Sequence, residues 1–362
     1  MKFRCERDSL VDAFASAARA VSSRSALPVL SCVRLHLEGN TLRLAGSDLD
    51  LTIEVEVQVS GESDGVAVLP AKLGADILRA MEPGSIGVSV TAEQAQIRAG
   101  RSVFSVRTLN ADEYPKLPDT PTGGVTIQAD ELADAAKQVI ASASHDDARP
   151  ILTGVLMAAE AGGLRLVATD SYRLSVRDLP GTTVLAEGQT VLVPSRAFAE
   201  VARLLGAKGE VTLHLGEREA AFVVNATKVT TRLIEGQYPP YRNLIPATLP
   251  NKLTVERAPF LEALRRVRLL AKDATPVRLK MGGDSLELVA VTQDVGQANE
   301  DVEASFVGTE MTVAFNPDFL IAGVEAAAGD TVTLETIDNL KPAVLRCPAR
   351  ADFLYLLMPV RV

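Results

Sequence analysis

Stretches in which every second residue is apolar alternate along this chain with stretches in which apolar residues fall three and four apart, and the whole succession occurs three times. Period two predicts half-buried strands, and period 3.6 predicts amphipathic helices. Each round opens on a short strand, first at residues 1–5. A helix follows, with the apolar stripe Leu10, Val11, Phe14, Ala18 and Val21 in the first round. The stripe is Leu132, Ala133, Ala136, Val139 and Ile140 in the second, and Phe260, Leu261, Leu264 and Val267 in the third. Hairpins come next, with Leu35, Leu37, the turn Gly39-Asn40, Leu42 and Leu44 as the first. Gly162-Gly163 and Gly282-Gly283 mark the matching turns. A second helix then starts at a proline, whose missing N–H is harmless in the first turn. Further strands, such as residues 86–90 and 103–109, close the round.

The repetition has a fixed period. Pro70, Pro194 and Pro317, which open the second helices, are 124 and 123 residues apart. Leu42-Arg43-Leu44, Leu164-Arg165-Leu166 and Leu286-Glu287-Leu288 follow one another at 122. Pro28-Val29-Leu30 returns as Pro150-Ile151-Leu152, with Pro276-Val277 in the last round, and Tyr114-Pro115 returns as Tyr238-Pro239. Units of this length are domains and not solenoid turns. The chain therefore reads as an α+β protein of three repeated domains, each of about eight strands and two helices, at residues 1–121, 125–246 and 247–362. Proline-rich segments at 112–124 and 237–250 join them as stiff linkers.

Composition narrows the class. Of 362 residues 47% are apolar, enough for sizeable cores, while Trp is absent and aromatics make up 4%, so those cores are aliphatic. The three cysteines, Cys5, Cys32 and Cys347, have neither disulfide nor metal-ligand spacing. The start, MKFRCERD, lacks the apolar run of a signal peptide, and no stretch is long and apolar enough for a membrane helix, so a cytoplasmic protein with no membrane partner is expected.

The net charge of −9 opposes a surface that is basic everywhere, but it allows a local cationic lining. On the second helices Lys72 and Arg79 lie two turns apart on one face, and Arg196 and Arg203 repeat them at an offset of 124. Long cations usually only solvate a helix face, and it is the repetition that favours a role. The third round has Phe319 and Ala326 in those places, and its first helix carries Arg257, Arg265, Arg266, Arg268 and Lys272 instead. Arg24 and Arg149 precede the Pro-Val/Ile-Leu markers. Such cations would hold phosphates without reading bases, and no aromatic platform for single strands accompanies them.

Catalytic chemistry finds no support. His36, His145 and His214 are scattered, and no phosphate-binding loop, dinucleotide fingerprint or nucleophile elbow is present. Asp48, Asp170 and Asp294 follow corresponding hairpins, one per domain, and suit turn capping better than a metal site. No catalytic residue, metal or cofactor is expected. Three segments suit adaptable peptide recognition: residues 168–174, residues 238–244 and the apolar ending Leu356-Leu357-Met358-Pro359-Val360-Arg361-Val362, which equally fits an ordinary core strand.

At these residues the chain resembles the bacterial β sliding clamps over its full length. The resemblance rests on the MKF start, Leu27-Pro28-Val29-Leu30, the Val-Pro-initiated helices, Thr169-Asp170-Ser171-Tyr172-Arg173-Leu174, Tyr238-Pro239-Pro240-Tyr241-Arg242 and the Met-Pro-Val-Arg-Val ending. It implies a head-to-tail homodimeric ring of six domains, helices inside and sheets outside, that encircles double-stranded DNA and confers processivity without catalysis. By matching positions, Phe104 and Val106 would face Leu269 and Leu270 of a second copy. DNA would pass near Arg24, Lys72, Arg79, Arg149, Arg196, Arg203, Arg266 and Lys272. A partner-peptide groove would be formed by Leu152, Thr169, Ser171, Tyr172, Arg173, Leu174, Pro239, Asn243, Leu244, Pro342, Leu356, Met358, Pro359, Val360, Arg361 and Val362. Ser171-Tyr172 and Asn243 depart from the Gly-His and Arg frequent in the family. The implied partners are the DNA polymerase III α subunit, other polymerases and an ATP-dependent clamp loader. Two rivals predict different behaviour: a monomeric three-domain protein that binds a peptide or polyanion, and a metal-dependent nuclease using the scattered aspartates.

Overall fold

The computed structural model describes every residue except 23, 24, 26, 92, 161, 206–208, 272–274 and 362. The predicted Arg24, Lys272 and Val362 lie outside the described residues. The first repeat runs β1 (Lys2–Glu6), α1 (Arg7–Ala18), β2 (Cys32–Glu38), β3 (Thr41–Ser47), β4 (Leu51–Gln58), β5 (Ser60–Ser63), β6 (Gly65–Pro70), α2 (Ala71–Ala80), β7 (Ser85–Val90), β8 (Gln94–Ala99) and β9 (Ser102–Arg107). The second runs β10 (Gly124–Gln128), α3 (Ala129–Ile140), β11 (Gly154–Glu160), β12 (Gly163–Thr169), β13 (Arg173–Pro180), β14 (Thr190–Pro194), α4 (Ser195–Leu204), β15 (Glu210–Leu215), β16 (Glu219–Val224) and β17 (Thr227–Arg232). The third runs β18 (Asn251–Glu256), α5 (Arg257–Arg268), β19 (Val277–Gly282), β20 (Ser285–Thr292), β21 (Gly296–Val307), β22 (Met311–Phe315), α6 (Pro317–Ala326), β23 (Thr331–Thr336), β24 (Ala343–Cys347) and β25 (Arg350–Leu357). The expected plan of about eight strands and two helices per repeat is thus met three times.

The sheets do not stop where the repeats do. The chain forms two compact units, residues 1–129 with 203–233, and residues 130–202 with 234–362. The division cuts through the second repeat because each of its two halves is hydrogen-bonded into a neighbouring repeat's sheet. In the first unit β4 pairs with β17, from Leu51↔Thr231 to Val55↔Thr227, which makes one eight-stranded sheet, β10-β15-β16-β17-β4-β3-β2-β6. In the second unit β13 pairs with β25, from Arg173↔Leu357 to Arg177↔Phe353, inside a twelve-stranded sheet that ends on β20, β19 and β22.

The helix stripes bury much as their spacing predicts. Leu10 and Phe14 of α1 are sealed together with Ala13 and Ala17, whereas Val11 and Ala18 are only half-buried, so the stripe turns toward the alanines. Phe260, Leu261, Leu264 and Val267 of α5 are all buried. Phe260, with Phe315, Phe353 and Tyr355, fills the core of the third repeat. Close packing also dictates a glycine in α6: a Cβ on Gly323 would meet the Tyr355 ring at 2.6 Å.

Candidate peptide groove and cationic helices

The groove is built on the tight turn between β12 and β13. Asp170 folds it by accepting hydrogen bonds at Oδ1 from the backbone N–H of Tyr172 (2.9 Å) and of Arg173 (3.0 Å). Its Oδ2 accepts from Arg173 Nε at 3.0 Å. Thr169 Oγ1 donates to the Arg173 carbonyl at 2.6 Å and accepts from the Ser171 N–H at 3.1 Å. Between these anchors Ser171 takes a left-handed φ of 82°, a strain that its local hydrogen bonds must hold in place. The result projects Tyr172 outward, 58% exposed, while Leu174 behind it is sealed.

A second wall comes from the end of the chain. Beyond β25 the Met358 N–H donates to the Tyr172 carbonyl at 2.9 Å, and the Val360 N–H donates to the Ala314 carbonyl at 2.8 Å. The tail is thereby tied down, and the same ties recur earlier in the chain. Arg232 N–H donates to the Asp50 carbonyl (2.9 Å), and Leu109 N–H to the Val68 carbonyl (3.1 Å). Ile234 N–H donates to the Leu192 carbonyl at 2.9 Å. The apolar ending is the third instance of the segment by which the chain leaves each repeat.

The floor consists of Leu174 and Leu356 packed with Leu156, Val176, Tyr241 and Val344, and edged by Tyr238 and Ile245. Burial pushes the Tyr238 phenol well above its ordinary range. Of the predicted groove residues, Leu152, Thr169, Leu174 and Leu356 are buried and support the surface from below. Tyr172, Leu244 and Met358 present apolar surface, and Pro239, Asn243 and Arg361 are exposed. Pro342, Pro359 and Val360 are half-buried.

Sequence reasoning missed Phe319, noted only as the place where a repeated cation is lost. Arg173 lies with its guanidinium 4.3 Å from the Phe319 ring centroid, and the Tyr172 ring sits 6.4 Å from the same ring at 30°. Tyr355 donates from its hydroxyl to the Phe319 carbonyl at 2.7 Å. The third repeat has exchanged a surface cation for the aromatic base of the groove wall. The exchange itself was the one signal the sequence carried.

Lys72 and Arg79 on α2, and Arg196 and Arg203 on α4, are exposed, opposite the stripes Ala71, Gly74, Ala75, Ile77, Leu78 and Ala197, Phe198, Val201. Arg79 meets Asp76 at 3.4 Å, an exposed pair of little energetic weight. Of the α5 arginines expected to compensate for α6, Arg265, Arg266 and Arg268 pair with acids, while Arg257 donates to the Val324 and Glu325 carbonyls. Arg265 reaches Glu262 at 3.0 Å and Glu325 at 2.8 Å, and Arg268 pairs with Asp318. Arg266 holds Glu300 through two hydrogen bonds of 2.8 and 2.9 Å, which lowers that carboxyl's pKa. Arg149 pairs with Asp146 at 3.0 Å and leans on the groove turn, 3.4 Å from Ser171 Oγ.

Two other expectations change. Asp48 repeats the role of Asp170, accepting from the Asp50 and Leu51 N–H groups at 3.1 and 2.8 Å. Asp294 does not: it occupies the left-handed position itself, with φ 61°, because Gln293 stands where the capping aspartate would be. Val106, expected at a contact between copies, is 5% exposed; Phe104, which shares its face of β9, is 42% exposed. Leu269 is 70% exposed and Leu270 half-buried. Among the described residues no group of histidine, cysteine or acidic side chains could hold a metal ion, and no helix is long and apolar enough to cross a membrane.

Models of the N-terminal, central and C-terminal domains of the DNA polymerase III beta subunit match residues 1–118, 126–240 and 242–361. The chain belongs to the DNA polymerase III beta subunit family. Among its curated relatives, the beta sliding clamp of Streptomyces coelicolor is 36% identical with both chains fully covered. The beta sliding clamp homolog GriR of Streptomyces muensis is 32% identical, over 100% of this chain and 99% of its own. Among solved structures, the Bacillus subtilis sliding clamp superposes with a TM-score of 0.92 at 27% identity, covering 100% and 99% of the two chains. The Pseudomonas aeruginosa sliding clamp bound to griselimycin gives 0.91 at 27%, with both fully covered.

Proposed function

We propose that this chain is a sliding clamp that closes into a homodimeric ring around duplex DNA, tethers the replicative polymerase through the Tyr172–Met358 groove, and so confers processivity. The carrying observation is that the same strand-to-strand seam occurs twice and, among the described residues, its two halves occur once more without partners. β4 with β17 is the first seam, and β13 with β25 is the second. The counterpart of β4 and β13 is β21, whose residues Gly296–Glu303 pair on one side with β20 and have no strand on the other. The counterpart of β17 and β25 is β9, an edge strand paired only with β8. A long bare edge invites pairing. A second copy meets both edges, head to tail, and the contact closes after two three-domain chains, residues 1–121, 125–246 and 247–362.

Carrying the register over sets residues 296–300 against residues 106–102 of the second copy, which puts Phe104 opposite Ala298. Acidic Asp301 and Glu303 line one edge and Arg101 and Arg107 the other, so the closing seam gains charge complementarity. Lys72, Arg79, Arg196 and Arg203 supply non-specific phosphate contacts, weak enough to slide. Retention is then topological, and the tethered polymerase gains effective concentration at the primer end. No reaction of the clamp's own is required. Opening falls to a separate ATP-driven loader, and the protein works in the cytoplasm.

The deciding experiment loads the protein on nicked circular DNA and follows its loss before and after linearisation. Slow loss from circles and rapid loss from linear DNA is expected. Equal loss from both forms would reject the clamp and favour a monomeric binding protein, which sedimentation would then reveal.

A further inference from the structure

The groove straddles a seam. Tyr172 belongs to the turn that leads into β13 of the second repeat, and Met358 to the residues that leave β25 of the third; their 2.9 Å hydrogen bond is the last rung of the β13–β25 ladder. At the far end of that ladder, beside the rung Arg177↔Phe353, lies an ion pair between Arg177, 3% exposed at its side chain, and the half-buried Asp352. Arg177 also donates from Nη1 to the Asp178 carbonyl at 2.8 Å, but its Nε and the Asp352 Oδ1 are buried without partners. An ion pair with a buried guanidinium left partly unsatisfied contributes little net stability, because desolvating that charge offsets the attraction. What it does supply is discrimination: only one register of β25 on β13 brings the two charges together, and any opening of the seam strands a guanidinium in an apolar sheet.

We infer that Arg177 and Asp352 are positioning residues for partner binding, acting through the seam, and that an occupied groove locks the seam shut. The inference rests on the clamp reading. A ligand whose site is half Tyr172 and half Met358 binds the closed seam and not the opened one. Its binding and the closure of the ladder are therefore linked, and the coupling is reciprocal. With partner at about a hundred times its dissociation constant, opening of the seam should become roughly a hundredfold rarer. In the ring, flexing would then be displaced from this seam to the one between copies.

The test uses full-length protein and the cognate polymerase III α subunit. Hydrogen exchange is followed by mass spectrometry at the amides of Arg177, Asp178, Asp352 and Phe353, at the end of the ladder away from the groove. Slowed exchange on adding the α subunit is expected. Asp352→Asn, which keeps shape and removes the charge, should speed that exchange in the free protein and weaken α-subunit binding by the factor by which it lowers the closed fraction, although Asp352 touches nothing in the groove. A merely structural pair would lower the melting temperature and leave the dissociation constant unmoved. The milder variant Arg177→Lys, which keeps the charge, should recover most of the affinity. If the α subunit binds and Tyr172→Ala weakens it, yet seam exchange is unchanged, the coupling is wrong and the groove stands. If the α subunit does not bind at all, the clamp reading itself fails and the coupling falls with it.

Discussion

The guanidinium of Arg173 lies 4.3 Å from the ring centroid of Phe319, and the two belong to different repeats. Arg173 is also held by Asp170 at 3.0 Å, and only 12% of its side chain is exposed, so it is a fixed part of the wall and not a free cation awaiting a ligand. Desolvated cation–π contacts of this kind are worth about 1–2 kcal/mol. Phe319→Ala should therefore weaken α-subunit binding roughly fivefold to thirtyfold, with Phe319→Tyr close to the parent. Surface plasmon resonance decides it; parental affinity in the alanine variant would remove Phe319 from the groove.

Removing residues 358–362 deletes one wall and the two ties to Tyr172 and Ala314. Polymerase stimulation on primed circular DNA should vanish. The dimer should persist, since Phe104 and Leu269 lie elsewhere in the chain. Losing two backbone hydrogen bonds costs about 1–3 kcal/mol, a modest drop in melting temperature. A truncated protein that still stimulates fully would show that the tail is only structural.

The contact between copies depends on exposed apolar side chains meeting. Phe104→Asp and Leu269→Asp should each give monomers at micromolar concentration by analytical ultracentrifugation, because either substitution buries an unpaired charge. Val106→Asp is a different experiment: Val106 is interior, so that change should unfold the domain instead of separating subunits. Folded dimers from both surface variants would contradict the head-to-tail arrangement.

Gly323 of α6 carries the Tyr355 ring against it, and Tyr355 in turn bonds the Phe319 carbonyl. Gly323→Ala should destabilise the protein by about 1–3 kcal/mol through overpacking. It should also weaken the groove, because the displaced Tyr355 releases α6 beneath Phe319. Thermal denaturation and binding read the two effects separately.

Burial pushes the Tyr355 phenol up to about 12. The folded state thus binds its proton more tightly than the unfolded chain does. The associated stability is complete below the ordinary tyrosine range near pH 10 and is lost as the pH rises toward 12. Alkaline unfolding monitored by circular dichroism should begin in this window. Tyr355→Phe should flatten the pH dependence there while giving up the bond to Phe319; an unchanged alkaline profile would place the titration elsewhere.

The sequence by itself determined the threefold repetition, the order of strands and helices within a repeat, and the faces that go inward. Periods of 2.0 and 3.6 are local properties of backbone geometry, and recurrence at a spacing near 123 needs no structure to be seen. The Asp170 turn was legible too, since an aspartate two residues ahead of the N–H groups it accepts from folds the chain on its own. Only the tertiary structure decided which strands join. Alternation says that β13 has an inward face and not that its neighbour is β25, some 180 residues on. Charge was likewise undecided: a row of arginines on α5 reads as a phosphate surface until Glu325, Asp318 and Glu300 arrive beside it from distant segments. Coulomb attraction over a few ångströms depends on neighbours in space, and those neighbours come from chain closure that no local pattern encodes.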